Sequence, residues 1–165
     1  MEFSLNEVAD IVGIRKASIY AHFSSKEELL YQLFNKEIEE YFTKVECQSK
    51  TLKDLFFGVL NYYGSSRKKL LFWKRLLLFP PDTMDSEIRQ KIIDLSDRRY
   101  KKVKKFISSN SSPDNKEEYT DLLTVMFLSF IHGLLSSEVI YTNRNIVICY
   151  DKEWEIIKKI IMKED

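Results

Sequence analysis

Residues 4–26 have the pattern of two short helices joined by a tight turn. Ser4 is followed three residues later by Glu7, a capping box in which each side chain can satisfy a backbone N–H at a helix start. Gly13 predicts the end of this helix, because glycine accepts the left-handed conformation of a helix C-cap without strain. A second short helix should follow, with Ile19 on its inner face. The segment therefore predicts a helix-turn-helix.

The apolar residues of this segment predict which surfaces are covered. Val8, Ala9 and Val12 form a narrow apolar face, against which Ile19 and Phe23 can pack one turn apart. This packing leaves a cation, a hydroxyl, a phenol and an imidazole on the outside, which are groups suited to phosphates and base edges. They belong to Lys16, Ser18, Tyr20 and His22. On spacing alone, a plain helix pair with a solvated outer face is the alternative.

The run IYAHFSSKEELL at residues 19–30 resembles the signature of TetR-family transcriptional regulators, in which an aromatic-rich recognition helix leads into a long connecting helix. Ser4, Ala9, Gly13 and Ile14 match the same pattern. The resemblance implies a helix-turn-helix DNA-binding domain with its connecting helix at residues 1–45 and an effector-binding and dimerisation domain at 46–165. It also implies a homodimeric repressor that a small-molecule effector releases from operator DNA.

Two departures from the family pattern bear on the opening segment. Family members normally carry another helix ahead of the helix-turn-helix, and we expect it to be missing here, because the sequence begins almost at Ser4. Arg15 stands where the family usually has a small capping residue. The alternative function is therefore an α-helical dimeric module that binds a ligand or partner but not DNA. Without the extra helix, partial exposure is expected for Val8, Ile11, Ile19 and Phe23.

The remainder of the chain predicts an all-α protein. Four glycines and three prolines in 165 residues leave long stretches without a helix breaker. The connecting helix should begin after Ser24 or Ser25 and run to about Cys47, and a late helix should cover about residues 115–142. The last helix is expected at about 151–163, and the apolar linker at 146–150 is expected to be docked on the protein. Other helix starts are predicted at Thr51, at Ser65 or Ser66, and at Asp85 or Ser86.

The helix at about 115–142 predicts a dimer interface. Its apolar residues cover more than one face, and Ser129, Gly133 and Ser137 form a stripe of small residues through which another backbone can approach. A helix of the same chain could fill this stripe, but a second subunit is favoured because helix-turn-helix proteins usually read two half-sites. The candidate interface residues are Tyr119, Met126, Ser129, Gly133, Ser137, Trp154, Ile157 and Ile161.

The sequence predicts an effector pocket rather than catalysis. It contains no phosphate loop, nucleophile elbow or metal-ligand spacing, so neither an enzyme nor a cofactor is expected. His132 lies in an apolar helix, where it is either a hydrogen-bonded core histidine or a polar anchor in a cavity for a small apolar effector. The candidate pocket residues are Phe56, Tyr63, Trp73, Tyr100, Phe127, Phe130 and His132.

Charge and composition bound the remaining expectations. The net charge of +1 means that DNA affinity must come from local groups, and the basic cluster at residues 98–105 is interpreted as a solvated helix face. Cys47 and Cys149 are expected to be reduced thiols. Without a signal peptide or an apolar run of membrane-spanning length, the protein is expected to be cytoplasmic with no membrane partner. The candidate DNA contacts are Ser4, Lys16, Ser18, Tyr20, His22 and Lys26.

Overall fold

The computed structural model describes residues 4–80, 86–109, 117–141 and 149–162. This part of the chain is all-α, which confirms the predicted fold class. A π-helical segment, Phe42–Glu46, continues the third helix and is called the π segment below. The α-helices are α1 Leu5–Val12, α2 Lys16–Tyr20, α3 Lys26–Tyr41, α4 Leu52–Gly64, α5 Arg67–Leu78, α6 Ser86–Ser109, α7 Glu117–Ile140 and α8 Tyr150–Ile161.

Local capping chemistry fixes where several helices begin and end. The Glu7 backbone N–H donates to the Ser4 hydroxyl at 3.2 Å, and the Ser4 backbone N–H donates to the Glu7 carboxylate at 2.6 Å, so the predicted capping box is confirmed. Gly13, with φ of 74°, ends α1 in the left-handed conformation as predicted. The same kind of hydroxyl cap precedes α3, α4 and α5, from Ser25, Thr51 and Ser66.

The connecting helix differs from its prediction at its C-terminal end. Instead of one α-helix to about Cys47, α3 ends at Tyr41 and the π segment follows. The Cys47 backbone N–H donates to the Phe42 carbonyl, five residues back, at 2.9 Å. Within this stretch Tyr41, Val45 and Glu46 are all buried. Single π turns of this kind are rare and often mark functional positions.

A large core joins the second half of α3 to the C-terminal helices. Its fully buried aromatic residues include Phe34, Phe56, Trp73 and Phe127. Helix α7 packs against α4, α6 and α8. By length and composition α7 could also cross a membrane, although uncharged polar residues interrupt its apolar runs. Its contacts with three helices are those of the central helix of a packed domain.

A second, small cluster holds the two opening helices together. Leu5, Ala9 and Ile19 are buried in it, and half-buried Val8, Phe23 and Leu29 pack around them. Two predictions for this cluster are wrong. Val12 is 61% exposed because Leu5 and Ala9, four residues apart, form the face of α1 that meets α2. Ile19 is only 5% exposed, contrary to the predicted partial exposure. Ile11 is 85% exposed, in agreement with its prediction.

Candidate functional site

The outer surface of α2 carries the polar groups that the sequence predicts there. Lys16, Ser18 and Tyr20 are exposed on this helix, and His22 is exposed just after it. Ile19 points the opposite way, into the small cluster. Burial of one apolar side chain thus fixes which side of α2 faces solvent. The structure brings these four polar side chains together on one short segment, and contact with DNA stays a prediction for each.

Hydrogen bonds around Glu28 fix the turn between α2 and α3. The backbone N–H and the hydroxyl of Ser24 both donate to one Glu28 oxygen at 2.6 Å, and the Glu28 backbone N–H donates to the Ser25 hydroxyl at 3.1 Å. The bonds from Ser24 lower the pKa of Glu28. Because Lys26 is the first residue of α3, its half-buried side chain leaves from a well-defined position.

The capping box changes what Ser4 can offer to a phosphate. Its backbone N–H and its hydroxyl are both engaged by Glu7, and hydrogen bonds from Ser4 lower the pKa of that carboxylate. An ionised carboxylate therefore already lies at the N-terminus of α1, where a phosphate would have to bind. This geometry disfavours Ser4 as a phosphate contact.

The predicted pocket residues fall into separate groups. Phe56 and Phe127 are fully buried with ring centroids 6.3 Å apart, and half-buried Phe130 stacks 6.5 Å from Phe56. Tyr63 and Trp73 form a second buried pair at 6.3 Å. Tyr100 belongs to neither group, since its hydroxyl donates to an Asp121 oxygen at 2.6 Å between α6 and α7.

His132 is not a core histidine, because its side chain is exposed. Desolvation by the surrounding protein nevertheless lowers the pKa of His132 to about 4, and the positive charges of Arg99 and Lys74 act in the same direction. The Lys74 ammonium donates to the His132 carbonyl at 3.4 Å and to the Ser136 hydroxyl at 2.5 Å. His132 is therefore neutral at pH 7 and lies in positive potential.

Arg99 is half-buried and its Nε is fully buried, which differs from the interpretation of residues 98–105 as a solvated face. Its guanidinium carbon lies 4.6 Å from the centre of the Tyr41 ring, and its positive charge also acts on Tyr63. The Arg99 Nε, the Tyr41 hydroxyl, the Trp73 Nε1 and one Glu46 oxygen are buried without a hydrogen-bond partner. Tyr41, Glu46, Tyr63, Trp73 and Arg99 are called the Arg99 cluster below.

The spacing of apolar residues in α6 indicates that Arg99 lies on a buried face, although the charge of residues 98–105 does not. Leu95, Arg99, Val103 and Ile107 are spaced four residues apart, and the three apolar members are all buried. Arg99 therefore lies on the same face of α6 as these three buried apolar residues. Two other cations between residues 98 and 105 have different contacts. Arg98 lies over the Phe42 ring at 5.6 Å, and Lys104 pairs with Glu117 and Asp121.

An open groove lies between α7 and α8, where the small-residue stripe was predicted. A Cβ placed on Gly133 would meet nothing within 4 Å, so the stripe is not filled by a helix of the described chain. On α8, Trp154, Ile157 and Ile161 are buried in the chain's own core, although Ile157 also lines the groove, so their contact with a second copy stays a prediction. The exposed apolar residues of α8 are Ile156 and Ile160. The groove is lined by Met126, Ser129, Phe130, Gly133, Leu134, Ser137, Ile157 and Ile160.

Metal-binding groups are not assembled in the described ranges. Across residues 4–80, 86–109, 117–141 and 149–162, no three histidine, cysteine or acidic side chains come together as metal ligands. Cys47 and Cys149 are free thiols. The predicted apolar linker at 146–150 lies mostly outside the described residues.

Comparison with protein families finds a match at the start of the chain. The family model described as bacterial regulatory proteins, tetR family, matches residues 1–33. In the structure this segment comprises α1, α2 and the first half of α3. Searches of curated proteins and of solved structures found no match to the chain. The family match therefore coincides with the helix-turn-helix that carries the exposed polar groups.

Proposed function

We propose that this chain belongs to the tetR family of bacterial regulatory proteins and is a homodimeric repressor that a small-molecule effector releases from operator DNA. The match of residues 1–33 to the family model supports a DNA-binding transcriptional regulator. The observation that carries the proposal is the orientation of α2, whose apolar Ile19 is buried while Lys16, Ser18 and Tyr20 are exposed. Such a helix can place donors and acceptors against a DNA groove.

Within this surface, the proposed contacts have different roles. Lys16 and Ser18, on the first turn of α2, are assigned to base edges, because the N-terminal residues of a recognition helix reach deepest into the major groove. Tyr20, His22 and Lys26 follow at its end and at the start of α3, and they are assigned to the DNA backbone. Ser4 is left with at most a minor role because Glu7 occupies its polar groups.

A homodimer is proposed through the open face of α7 and α8. Large apolar side chains are exposed on these two helices, and one of them, Ile160, lines the groove that contains Gly133. A second copy of the same face would cover them, with Ser129, Gly133 and Ser137 allowing close approach of two backbones. The exposed apolar residues on these two helices are Tyr119, Leu122, Val125, Ile140, Ile156 and Ile160.

A division into a DNA-binding domain at 1–45 and an effector domain at 46–165 is also proposed. Helix α3 takes part in both units, since Leu29 packs on the small cluster and Phe34 lies in the large core. A shift of α3 would therefore move the helix-turn-helix relative to the C-terminal helices, which is how an effector could change operator affinity. A regulator of this kind would act in the cytoplasm.

The base and backbone roles of two lysines can be separated by mutation. Lys26→Ala should weaken binding about equally for all DNA sequences and reduce the slope of log affinity against log salt by roughly one. Lys16→Ala should in addition relax the preference at particular base pairs, costing about 1–3 kcal/mol for a good base contact. The measurement is fluorescence anisotropy with DNA from upstream of the gene and with a shuffled duplex, over a range of salt concentrations.

Two results of this titration would contradict the assignments. Equal losses of Lys16→Ala on both duplexes would remove Lys16 from the base contacts. If the unmodified protein binds both duplexes equally, the alternative of a helical partner-binding module gains support, and the exposed apolar Ile11, Val12 and Ile14 would be its candidate surface.

A further inference from the structure

The Arg99 cluster contains more buried polar groups than the cluster itself can satisfy. The Arg99 Nε, the Trp73 Nε1 and the Tyr41 hydroxyl can all donate, and none has an acceptor. Tyr41 comes from α3, Trp73 from α5 and Arg99 from α6, so three helices bring unpaired donors into the interior. Each unpaired buried donor costs roughly as much as a lost hydrogen bond, and one Glu46 oxygen is the unpaired acceptor of the cluster, so its unpaired donors outnumber its unpaired acceptors.

The charges around these donors are also unbalanced. Glu46 is the carboxylate of the cluster, and one of its oxygens already lies 3.7 Å from the Lys102 ammonium, which also donates to the Glu46 carbonyl. In the part of the chain that the structure describes, neither Arg99 nor Lys74 forms an ion pair, and burial lowers the pKa of Lys74. The positive charges of Arg99 and Lys74 both lower the pKa of His132. Lys69 and Glu37, whose charges also act on Tyr63, pair with each other at 3.5 Å.

We propose that the Arg99 cluster binds a small organic anion through its carboxylate or a similar oxyanion group, with Arg99 as its main partner. Lys74 supplies a second positive charge, and the N–H of Trp73 and the hydroxyl of Tyr41 are further donors. Charged hydrogen bonds to a guanidinium are among the strongest that a protein can offer. This assignment rests on the proposed function, because it gives the chemical class of the effector: an acid, rather than the wholly apolar molecule that the sequence predicts.

The position of the cluster explains how such an anion could influence DNA binding. Tyr41 is the last residue of α3, and Glu46 is the last residue of the π segment. An anion on Arg99 would compete with the Glu46 carboxylate for positive charge at the point where the helix geometry is irregular. Since α3 leads directly from the helix-turn-helix, a rearrangement there has a direct route to the DNA-binding surface.

Internal water or a rotated Glu46 side chain could also satisfy the unpaired groups. Water would accept from the donors directly, and rotation would bring the free Glu46 oxygen to the Arg99 Nε. In both cases the charge of Arg99 is already accommodated, and organic anions would not stabilise the protein. In the case we propose, Glu46 is engaged by Lys102, so the half-buried guanidinium of Arg99 is costly until an anion binds.

The test is thermal unfolding of the full chain in acetate, benzoate and octanoate at constant ionic strength, each compared with its uncharged amide and with chloride. At least one carboxylate should raise the Tm by roughly 5–10 °C at a hundredfold excess over its Kd, whereas the amides should not. Arg99→Met should fold and lose this response. Lys74→Gln should weaken the affinity for the same carboxylate by about tenfold, which provides a second readout if Arg99→Met fails to fold.

Arg98→Met is the matched control, because Arg98 is the neighbouring cation but is exposed. It should respond to carboxylates as the unmodified protein does. The proposal is overturned if no carboxylate stabilises the protein more than its amide, or if Arg99→Met and Lys74→Gln both retain the full response. Because the readout involves no DNA, such a result would leave operator binding intact, whereas a carboxylate response without any operator binding would keep this site and reject the proposed function.

Discussion

Ile19→Ala is expected to remove most operator binding while leaving the large core folded. Among the described residues, only Leu5, Ala9 and Ile19 are buried in the small cluster, so each contributes a large share of what holds α1 against α2. Truncating a buried isoleucine to alanine costs about 2–5 kcal/mol. A unit with so small a core cannot absorb that loss, and operator affinity should fall by roughly tenfold or more as the folded helix-turn-helix becomes a minor population.

The two tryptophans make this result measurable. Both Trp73 and Trp154 lie in the large core, so tryptophan fluorescence follows the unfolding of that core and not of the small cluster. With Ile19→Ala, the fluorescence midpoint should stay unchanged while amide hydrogen exchange speeds up in α1 and α2.

Two control substitutions define the outcome. Ile11→Ala removes the same side-chain atoms from an exposed position and should leave stability unchanged. Leu60→Ala, in the large core, should lower the fluorescence midpoint. If Ile19→Ala lowers that midpoint as much as Leu60→Ala does, the two clusters unfold as one unit and the separation between them is wrong.

Gly133→Leu is expected to convert the proposed dimer into a folded monomer and to abolish high-affinity operator binding. Within the subunit the new side chain extends into open space, and leucine has a better helix propensity than glycine by up to about 1 kcal/mol. Across a twofold interface the added side chain appears twice, and overpacking of this kind costs about 1–3 kcal/mol per site. The dimer dissociation constant should therefore rise by roughly 30-fold or more.

Sedimentation equilibrium and thermal unfolding together test this expectation. Gly133→Leu should sediment as a monomer with undiminished helical circular dichroism, and Gly133→Ala should remain largely dimeric because a single methyl group requires little displacement. An unchanged dimer with Gly133→Leu would place the interface elsewhere. A monomer that still binds the operator with full affinity would reject the link between dimerisation and DNA recognition.

How much the sequence predicts depends on how local the determining interactions are. Helix starts at Ser4, Thr51 and Ser66 depend on a hydroxyl and a backbone N–H three residues away, so the sequence suffices for them. The outward orientation of α2 also follows from Ile19 alone. The end of α3 does not, because the π segment accompanies the burial of Tyr41 and Glu46 next to Arg99, which is more than fifty residues away.

Long-range packing also explains the other misplaced residues. Apolar residues cover several sides of α8, and only the positions of α4 and α7 decide that Trp154 faces the core while Ile156 faces outward. Five other cations lie between residues 98 and 105, and their charge favoured the interpretation of this segment as a solvated face. The four-residue spacing of Arg99 from Leu95 and Val103 nevertheless indicates a buried face. Helical spacing is therefore a better guide to burial in such a segment than net charge.

Footprinting of the purified protein on the DNA upstream of its gene tests the regulator function most directly. At physiological salt, we predict protection of two half-sites separated by about 34–36 Å, or a multiple of that distance, with an affinity at least roughly a thousandfold above that for shuffled DNA. The regulator function would be contradicted by uniform cleavage without protected half-sites, together with equal affinity for the upstream and the shuffled DNA.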